Sequence, residues 1–568
     1  MKIKLSYAML IAVAMLVPGS IMADKVYSGD DENTFDYIIV GFGSAGAILA
    51  RKLSDDKKTT VLVLEAGSNL MEDPNTLNPN TLATAEELTF NPLYAAAYPV
   101  PITNFSAIVY SEGREWGGSA AHNGLQAVRG VPSDYNQWAV NSGSIQWSYP
   151  NVFPILYGIE SYTPNGTIAD PSQRNIAPGG PIAITQQPPV SSNPLAIAIA
   201  TVAGAPLESD YNNALLPDVS TSAVQQFITA GAGSRRSFSA FEFMTIGQQM
   251  DEKGRGLHGR KCRVKGNATV TRILIHKNHG NWQAQGVEYI RQSQENPKEK
   301  ETVKKVYARK KVILCAGAVN SPKLLMLSGV GDPAILEPLD IKVKVANPNV
   351  GAHLQNQYGS TAVMTFPSAV NGTIMSFIDA EPYMPADDTR RIQIIASGVA
   401  ATHTASLTGF IVHPQSQGSV QIVSKDPLTP AQFNQAFYTD GSVSTPGTDA
   451  YLIVSFYKIA EAIAASAGGT MIFPTPATFA AGDNALLADA KLINGTSLTY
   501  HAVGTTRFGT SIANGVVDAN LNVFGVENLM VADIGVTSPP VSGNTCLSAY
   551  VVGEKACQIL GLPVPPIL

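Results

Sequence analysis

Apolar residues in this chain gather into short unbroken runs, and the most informative runs are punctuated by glycine and other small residues. Residues 35–67 read FDYIIVGFGSAGAILARKLSDDKKTTVLVLEAG. Phe35 to Val40 is a β-type run, Ala47 to Leu53 has the composition of a helix, and Val61 to Leu64 is a second β-type run ending at Glu65. A similar order fills residues 312–331, VILCAGAVNSPKLLMLSGVG: an apolar run that predicts a buried strand, a turn of small residues, then an apolar helix. The charged segment HKNHGN, which holds His276 and His279, reads as a turn. Residues 140–255 and 340–500 are rich in Pro, Ser and Thr and carry no comparable motif, and no internal repeat is present.

Each part of the hexad Gly41-Phe42-Gly43-Ser44-Ala45-Gly46 has a physical task. Gly41 permits the tight turn out of the strand, Gly43 lets the backbone approach a pyrophosphate, and Gly46 lets helix and strand pack closely. The N–H groups at the helix start, Ser44 and Ala45 onward, then face the phosphates. Glu65 stands 24 positions after Gly41 (65 − 41). It can accept a hydrogen bond from a ribose hydroxyl, and an acid there disfavours a 2′-phosphate, which argues against NADP. The hexad lies in the strand–turn–helix–strand setting that a dinucleotide site requires; by itself it leaves NAD and FAD open.

The length of 568 residues allows about two to four domains. Hydrophobic residues make up 45% and charged residues 14%, and a net charge of −6 offers no basic surface to nucleic acid. The N-terminus has a basic start at Lys2 and Lys4, an apolar run from Leu5 to Val17, and a small-residue end at Ala23. That layout predicts a signal peptide over 1–23 and a secreted or periplasmic protein, because the 13-residue run (17 − 5 + 1) is short for a membrane span. No later segment is apolar enough to cross a bilayer. The four cysteines, Cys262, Cys315, Cys546 and Cys557, follow no disulfide framework spacing, and Cys315, inside an apolar run, reads as a buried thiol. Sequons begin at Asn104, Asn165, Asn267, Asn371 and Asn494 and do not identify the source. No histidines cluster at ligand spacing outside the HKNHGN turn, so no metal site is expected.

Residues 113–124, GREWGGSAAHNG, set His122 among four glycines and three other small residues, as a backbone does where it lies close to something. The longer segment GREWGGSAAHNGLQAVRGVPSDYNQWA, Gly113 to Ala139, resembles the first signature of the glucose–methanol–choline (GMC) oxidoreductases, near GRxxGGSSxxNGxxxxRG…D…W. Ala316 to Gly331 resembles their second signature, AGAxxSPxLLxxSGxG, and Asp533 to Ala556, DIGVTSPPVSGNTCLSAYVVGEKA, resembles their C-terminus. The likeness runs from residue 35 to about 565, with the motifs in the family's order.

The resemblance implies an α/β fold: a discontinuous Rossmann-like FAD-binding domain (35–140, 256–335 and 501–568) and an α+β substrate domain on an antiparallel sheet (141–255 and 336–500). It implies FAD as the cofactor and adds Gly118, Ser119, Asn123, Ala316, Asp533 and Thr545 to the hexad and Glu65 as cofactor-binding positions. RVKGNATVTRILI resembles the family strand beside the adenine, which sets Val270 against that ring. The GGS loop runs along the isoalloxazine in relatives, and choline oxidases have at the position of His122 a histidine bonded to the flavin 8α-methyl carbon. Two readings of His122 follow: the same covalent bond, or a neutral imidazole hydrogen-bonded locally.

His501 stands in TSLTYHAVGTTRFG, which resembles the family's xxHxxGTxxMG, whose histidine faces flavin and substrate. The family's second catalytic residue falls nine positions before Gly553, at Asn544 (553 − 9), 43 positions beyond His501 (544 − 501). His501 would take the hydroxyl proton or hold the alkoxide, and Asn544 would orient the carbinol C–H toward flavin N5. The segment NTCLSA after Asn544 departs from the usual NTNxPT, at Cys546, Ser548 and Ala549, and leaves the pocket floor undefined; RFG in place of xMG is milder. The implied activity is oxidation of a primary or secondary alcohol by hydride transfer to the flavin, with O2 or a quinone-like acceptor completing the cycle. A cyanohydrin lyase on the same scaffold is the alternative. Photodecarboxylase relatives lack the catalytic histidine, and an inert binding protein has no use for the intact pair. The identity of the alcohol, the choice of acceptor and the oligomeric state carry no sequence signal.

Overall fold

The computed structural model describes residues 33–80, 95–100, 108–166, 170–187, 193–204, 207–208, 210–212, 220–222, 226–230, 233–291, 302–370, 372–379, 391–491 and 496–563. The signal-peptide expectation at 1–23 and the sequons at Asn104, Asn371 and Asn494 lie outside the described residues.

The first apolar run forms strand β1 (Thr34–Val40), followed by helix α1 (Ser44–Leu53) and strand β2 (Val61–Leu64). All four residues of β2 are buried, as befits a strand covered on both faces. β1 pairs in parallel with β2 on one side and with the long strand Thr302–Leu314 on the other. Cys262–Lys265 continues the parallel order beyond β2, and Leu529–Val531 pairs with the end of Thr302–Leu314. The register aligns Lys265, Leu64, Val40, Leu314 and Val531 along one edge of the sheet. An antiparallel hairpin, Ala268–Asn278 and Asn281–Arg291, joins the first half of Thr302–Leu314 and completes seven strands. The expected HKNHGN turn is its two-residue connection: His279 and Gly280 both have positive φ, 48° and 91°, which matches the right-handed twist of the strands.

A second sheet of eight strands, antiparallel except at its edge, runs in the order Thr470–Phe473, Tyr358–Thr365, Thr404–Ile411, Arg391–Val399, Gly372–Asp379, Ser220–Ser222, Leu207–Glu208, with Thr496–Leu498 on the end of Tyr358–Thr365. The helix Asp449–Ser466 packs on it, opened by Thr448, whose Oγ1 accepts from Tyr451 N at 3.2 Å. Glycine at 409 makes room for the ring of Phe456; a Cβ there would lie 2.2 Å from the ring. On the first sheet, the last helix, Cys546–Ile559, lies against α1. A Cβ on Gly553 would sit 2.8 Å from Ala45 Cα, and the buried pair Lys52–Glu554 joins the two helices. Among the described residues no helix is long and apolar enough to cross a membrane.

Candidate active site

In sheets of this kind a dinucleotide lies at the carboxyl ends of the parallel strands. Gly41 leaves β1 at φ +100°, and a Cβ there would fall 2.3 Å from Cys315 O. A Cβ on Gly46 would fall 2.1 Å from Gly41 O, so α1 can approach the turn this closely only with glycine. Gly43 faces Gly118 of the second loop; a Cβ on Gly118 would sit 3.0 Å from Gly43 Cα. The N-cap residues of α1, the helix Gly317–Leu327 and the helix Cys546–Ile559 are Gly43, Ala316 and Thr545, and none caps its helix with its own side chain; the first N–H of the second helix, Gly317 N, donates instead to Asp533. Helix N-termini left uncapped beside a glycine-lined approach fit a pyrophosphate.

The acids of this crevice brace its backbone. Glu65 accepts from Phe42 N and Gly67 N, each at 2.8 Å, and each carboxylate oxygen keeps a second lone pair for a ribose hydroxyl. Burial raises its pKa against the pull of those bonds. Asp533 accepts from Ser321 Oγ (2.5 Å), Gly535 N (3.0 Å) and Gly317 N (3.1 Å), which ties it to the Ala316 turn, and burial pushes it up to about 6. Val270 is buried in the hairpin, and its neighbour Thr269 accepts from Arg114 at 3.4 Å, which brings that strand to the GREWGGS loop.

In that loop Ser119 Oγ accepts from Gly113 N at 3.0 Å and closes the turn. Asn123 was expected to meet the cofactor, but its oxygens are engaged by protein. The fully buried Arg236 donates from Nη1 to Asn123 O (2.8 Å) and Oδ1 (2.9 Å), and Leu125 N donates to the same Oδ1 at 3.0 Å. This clamp holds Leu125 at φ +61°, a conformation unfavourable for a bulky side chain. His122 Nε2 is buried and has no hydrogen-bond partner among the described residues. Burial, then the Arg236 cation, lowers the imidazole to about 4, so it is neutral. An orphaned ring nitrogen on a clamped loop that touches the dinucleotide turn fits a residue that addresses the cofactor.

The structure brings His501 and Asn544 together: Asn544 Nδ2 lies 3.3 Å from His501 Nε2. His501 follows Tyr500, which has φ +59°, and its N–H donates to Asn356 Oδ1 at 2.7 Å. Its Nδ1 lies 2.7 Å from Gln357 Oε1. Asn544 Oδ1 accepts from Gln393 Nε2 at 3.2 Å. Burial lowers His501 to about 3, which keeps the imidazole neutral. The loop bearing Asn544 is anchored by the first signature. Asp134 accepts from Ser542 N (2.7 Å) and Ser542 Oγ (3.0 Å), lies 2.9 Å from His413 Nε2, and Trp138 Nε1 donates to Pro539 O at 2.9 Å. The aspartate and tryptophan of that signature thus work as scaffold for a loop some 400 residues away, at |i−j| of 408 and 401.

Sequence reasoning missed Gln357, Gln393, Arg236 and His413, which all lie outside the glycine motifs. One cue was available: Gln393 interrupts the apolar run RIQIIA, where an inward polar residue calls for a partner. All four cysteines are unpaired, and burial raises the Cys315 thiol well above its usual range. Among the described residues no group of three or more His, Cys, Asp and Glu could hold a metal ion.

Comparison with known proteins gives this geometry a family. Models of the GMC oxidoreductase family match residues 35–359 (N-terminal part) and 414–553 (C-terminal part). The chain is 29% identical to an uncharacterised GMC-type oxidoreductase of Mycobacterium tuberculosis, over 92% of this chain and 99% of the relative. It is 28% identical to the oxygen-dependent choline dehydrogenase of Cronobacter sakazakii (92% and 94%) and 26% identical to the choline oxidase of Arthrobacter globiformis (93% and 94%). Among solved structures, pyridoxine 4-oxidase from Mesorbium loti superposes with a TM-score of 0.74 at 24% identity, covering 92% of this chain and 98% of that one. A fungal aryl-alcohol oxidase gives 0.75 at 19%, covering 93% and 99%; at these identities the likeness is one of fold.

Proposed function

The chain belongs to the GMC oxidoreductase family, with FAD as its cofactor, and on that premise we propose that it oxidises a primary or secondary alcohol, with O2 or a quinone-like acceptor as the terminal oxidant, outside the cytoplasm. The observation that carries this reading is the neutral His501 set 3.3 Å from Asn544.

FAD, when bound, supplies the acceptor for the carbinol hydride. The hexad Gly41 to Gly46 and the helix start after Thr545 would hold its pyrophosphate, with the Ala316 turn, whose Gly317 N–H donates to Asp533, beside them; Glu65 would hold its ribose, and Gly118 with Ser119 would form the loop beside the ring system. His501 Nε2 takes the hydroxyl proton as the C–H bond breaks. Asn544 donates its second N–H to the same oxygen and holds the alkoxide as charge develops. Both groups are neutral before substrate arrives, and the substrate hydroxyl displaces the Asn544 N–H from the Nε2 lone pair as it binds. His122 would be the tether: its orphaned Nε2 would replace one C–H of the flavin 8α-methyl group, with the two electrons released passing to the same terminal acceptor.

Two measurements test this. Denatured in acid, the protein should keep its yellow colour in the pellet, and His122→Ala should release it to the supernatant. Under anaerobic conditions, a panel including choline, benzyl alcohol and pyridoxine should contain an alcohol that bleaches the flavin, and His501→Ala should slow that bleaching by roughly 10²–10⁴-fold. A flavin that no alcohol in the panel bleaches, in a protein that cleaves mandelonitrile, would overturn the redox reading in favour of a lyase.

A further inference from the structure

We infer that Gln357 is the positioning residue that decides which nitrogen of His501 is the base. The inference rests on the reading of His501 and Asn544 given above.

The argument begins at two main-chain carbonyls. Gln357 is fully buried, and its Nε2 lies 2.7 Å from Val541 O and 3.0 Å from Val412 O. A carbonyl oxygen only accepts, so both amide protons of Gln357 are engaged. Turning the amide over would set its oxygen against both carbonyls. The orientation is therefore fixed by chemistry rather than by choice of atom labels. Oε1 must face His501, and at 2.7 Å from Nδ1 it accepts a hydrogen bond from the Nδ1–H.

A neutral imidazole carries one N–H. With the proton on Nδ1, Nε2 holds the lone pair. Asn544 can then meet Nε2 only with its Nδ2–H, and its Oδ1 is left to accept from Gln393. The direction of each successive hydrogen bond, from Gln357 through His501 and Asn544 to Gln393, follows from the two carbonyls at one end. The opposite tautomer would aim a proton, not a lone pair, at a substrate hydroxyl and could not act as a base. Gln357 leads directly into the strand Tyr358–Thr365 and His501 follows the paired strand Thr496–Leu498, whereas Asn544 lies in the loop before the helix Cys546–Ile559, so the edge of the eight-stranded sheet sets the polarity of the pair.

The test is made on the full-length, flavin-loaded protein labelled with 15N-histidine. His501→Ala identifies the His501 ring signals by their loss. In the wild type these should report Nδ1 protonated and Nε2 bare. Gln357→Met, which keeps the volume but removes the acceptor, should give a mixed or reversed tautomer and slow flavin bleaching by roughly 10²-fold or more. Gln357→Glu, which keeps an acceptor, should retain the Nδ1–H tautomer and move the His501 titration upward, because a carboxylate beside Nδ1–H favours the imidazolium. A wild type with Nε2 protonated, or a Gln357→Met protein that keeps the wild-type tautomer, would overturn the inference. If Gln357→Met does not fold, the wild-type and Gln357→Glu tautomers decide it: Nδ1–H in both upholds it, and any other pairing overturns it. A His501→Ala protein that bleaches as fast as wild type would instead refute the catalytic reading and leave the tautomer result standing.

Discussion

The cofactor crevice and the His501–Asn544 pair are built by opposite means. The crevice is made of main chain and absences: Gly41, Gly43, Gly46 and Gly118 matter because a Cβ would collide or block an approach. The pair is made of side chains whose meaning depends on direction, handed along from Gln357 to Gln393. The first kind of site fails when anything is added. The second fails when a partner is removed or turned over.

The sharpest way to break the contrast is an addition in the crevice. Gly46→Ala would set a methyl 2.1 Å from Gly41 O and push α1 off its turn. It should abolish flavin retention and lower stability by about 3 kcal/mol or more, read from flavin absorbance and urea unfolding. A variant that keeps full flavin content would mean the turn is looser than its geometry. Next in size is a removal from the pair. Asn544→Ala should leave flavin content intact and lower kcat/KM roughly 10²-fold, the loss expected for one donor to a developing alkoxide. Equal losses of flavin and rate would erase the distinction between the two regions. Gln393→Met removes the outermost partner and should cost only about 2–10-fold in kcat, the scale of one neutral hydrogen bond.

The smallest effect is on pH dependence in the substrate-free protein. The buried histidines are held below their usual pKa, His122 at about 4 and His501 at about 3. The unfolded chain therefore binds more protons between those values and about 6.5, so folding stability rises with pH across that window and falls as pH drops through it. His501→Gln should flatten the slope, so that between pH 6.5 and 4.5 the variant loses about 1–2 kcal/mol less than wild type in urea unfolding. Parallel losses would show that the buried imidazole is not the titrating group.

The same contrast explains what could be read from the chain beforehand. β1, α1 and β2 were legible nearly to the residue, because a glycine turn between buried runs has few other ways to fold. α1 in fact begins at Ser44, ahead of the apolar stretch that predicts it, since the small residues Ala45 and Gly46 of its first turn are buried, Ala45 against Gly553 of the last helix. His501 and Asn544 were found through motif likeness, not through any local rule. Gln357 and Gln393 were invisible for a physical reason: an isolated glutamine carries no sign of which way its amide will face. That is settled by carbonyls at Val412 and Val541, which no spacing in the sequence connects to it. Asn123 shows a second kind of invisibility, a motif residue whose oxygens also serve a buried arginine far along the chain.

The strand order of the first sheet also bears on how the protein is made. β1 leaves the ribosome early, yet its neighbour Thr302–Leu314 and the outer strand Leu529–Val531 come far later. At roughly 5–20 residues per second, the 268 positions from Thr34 to Thr302 (302 − 34) take about 13–54 s to synthesise. For that time the apolar edge of β1 has only β2 beside it, the kind of open edge that recruits other chains. The yield of active protein should therefore depend on translation speed ahead of residue 302.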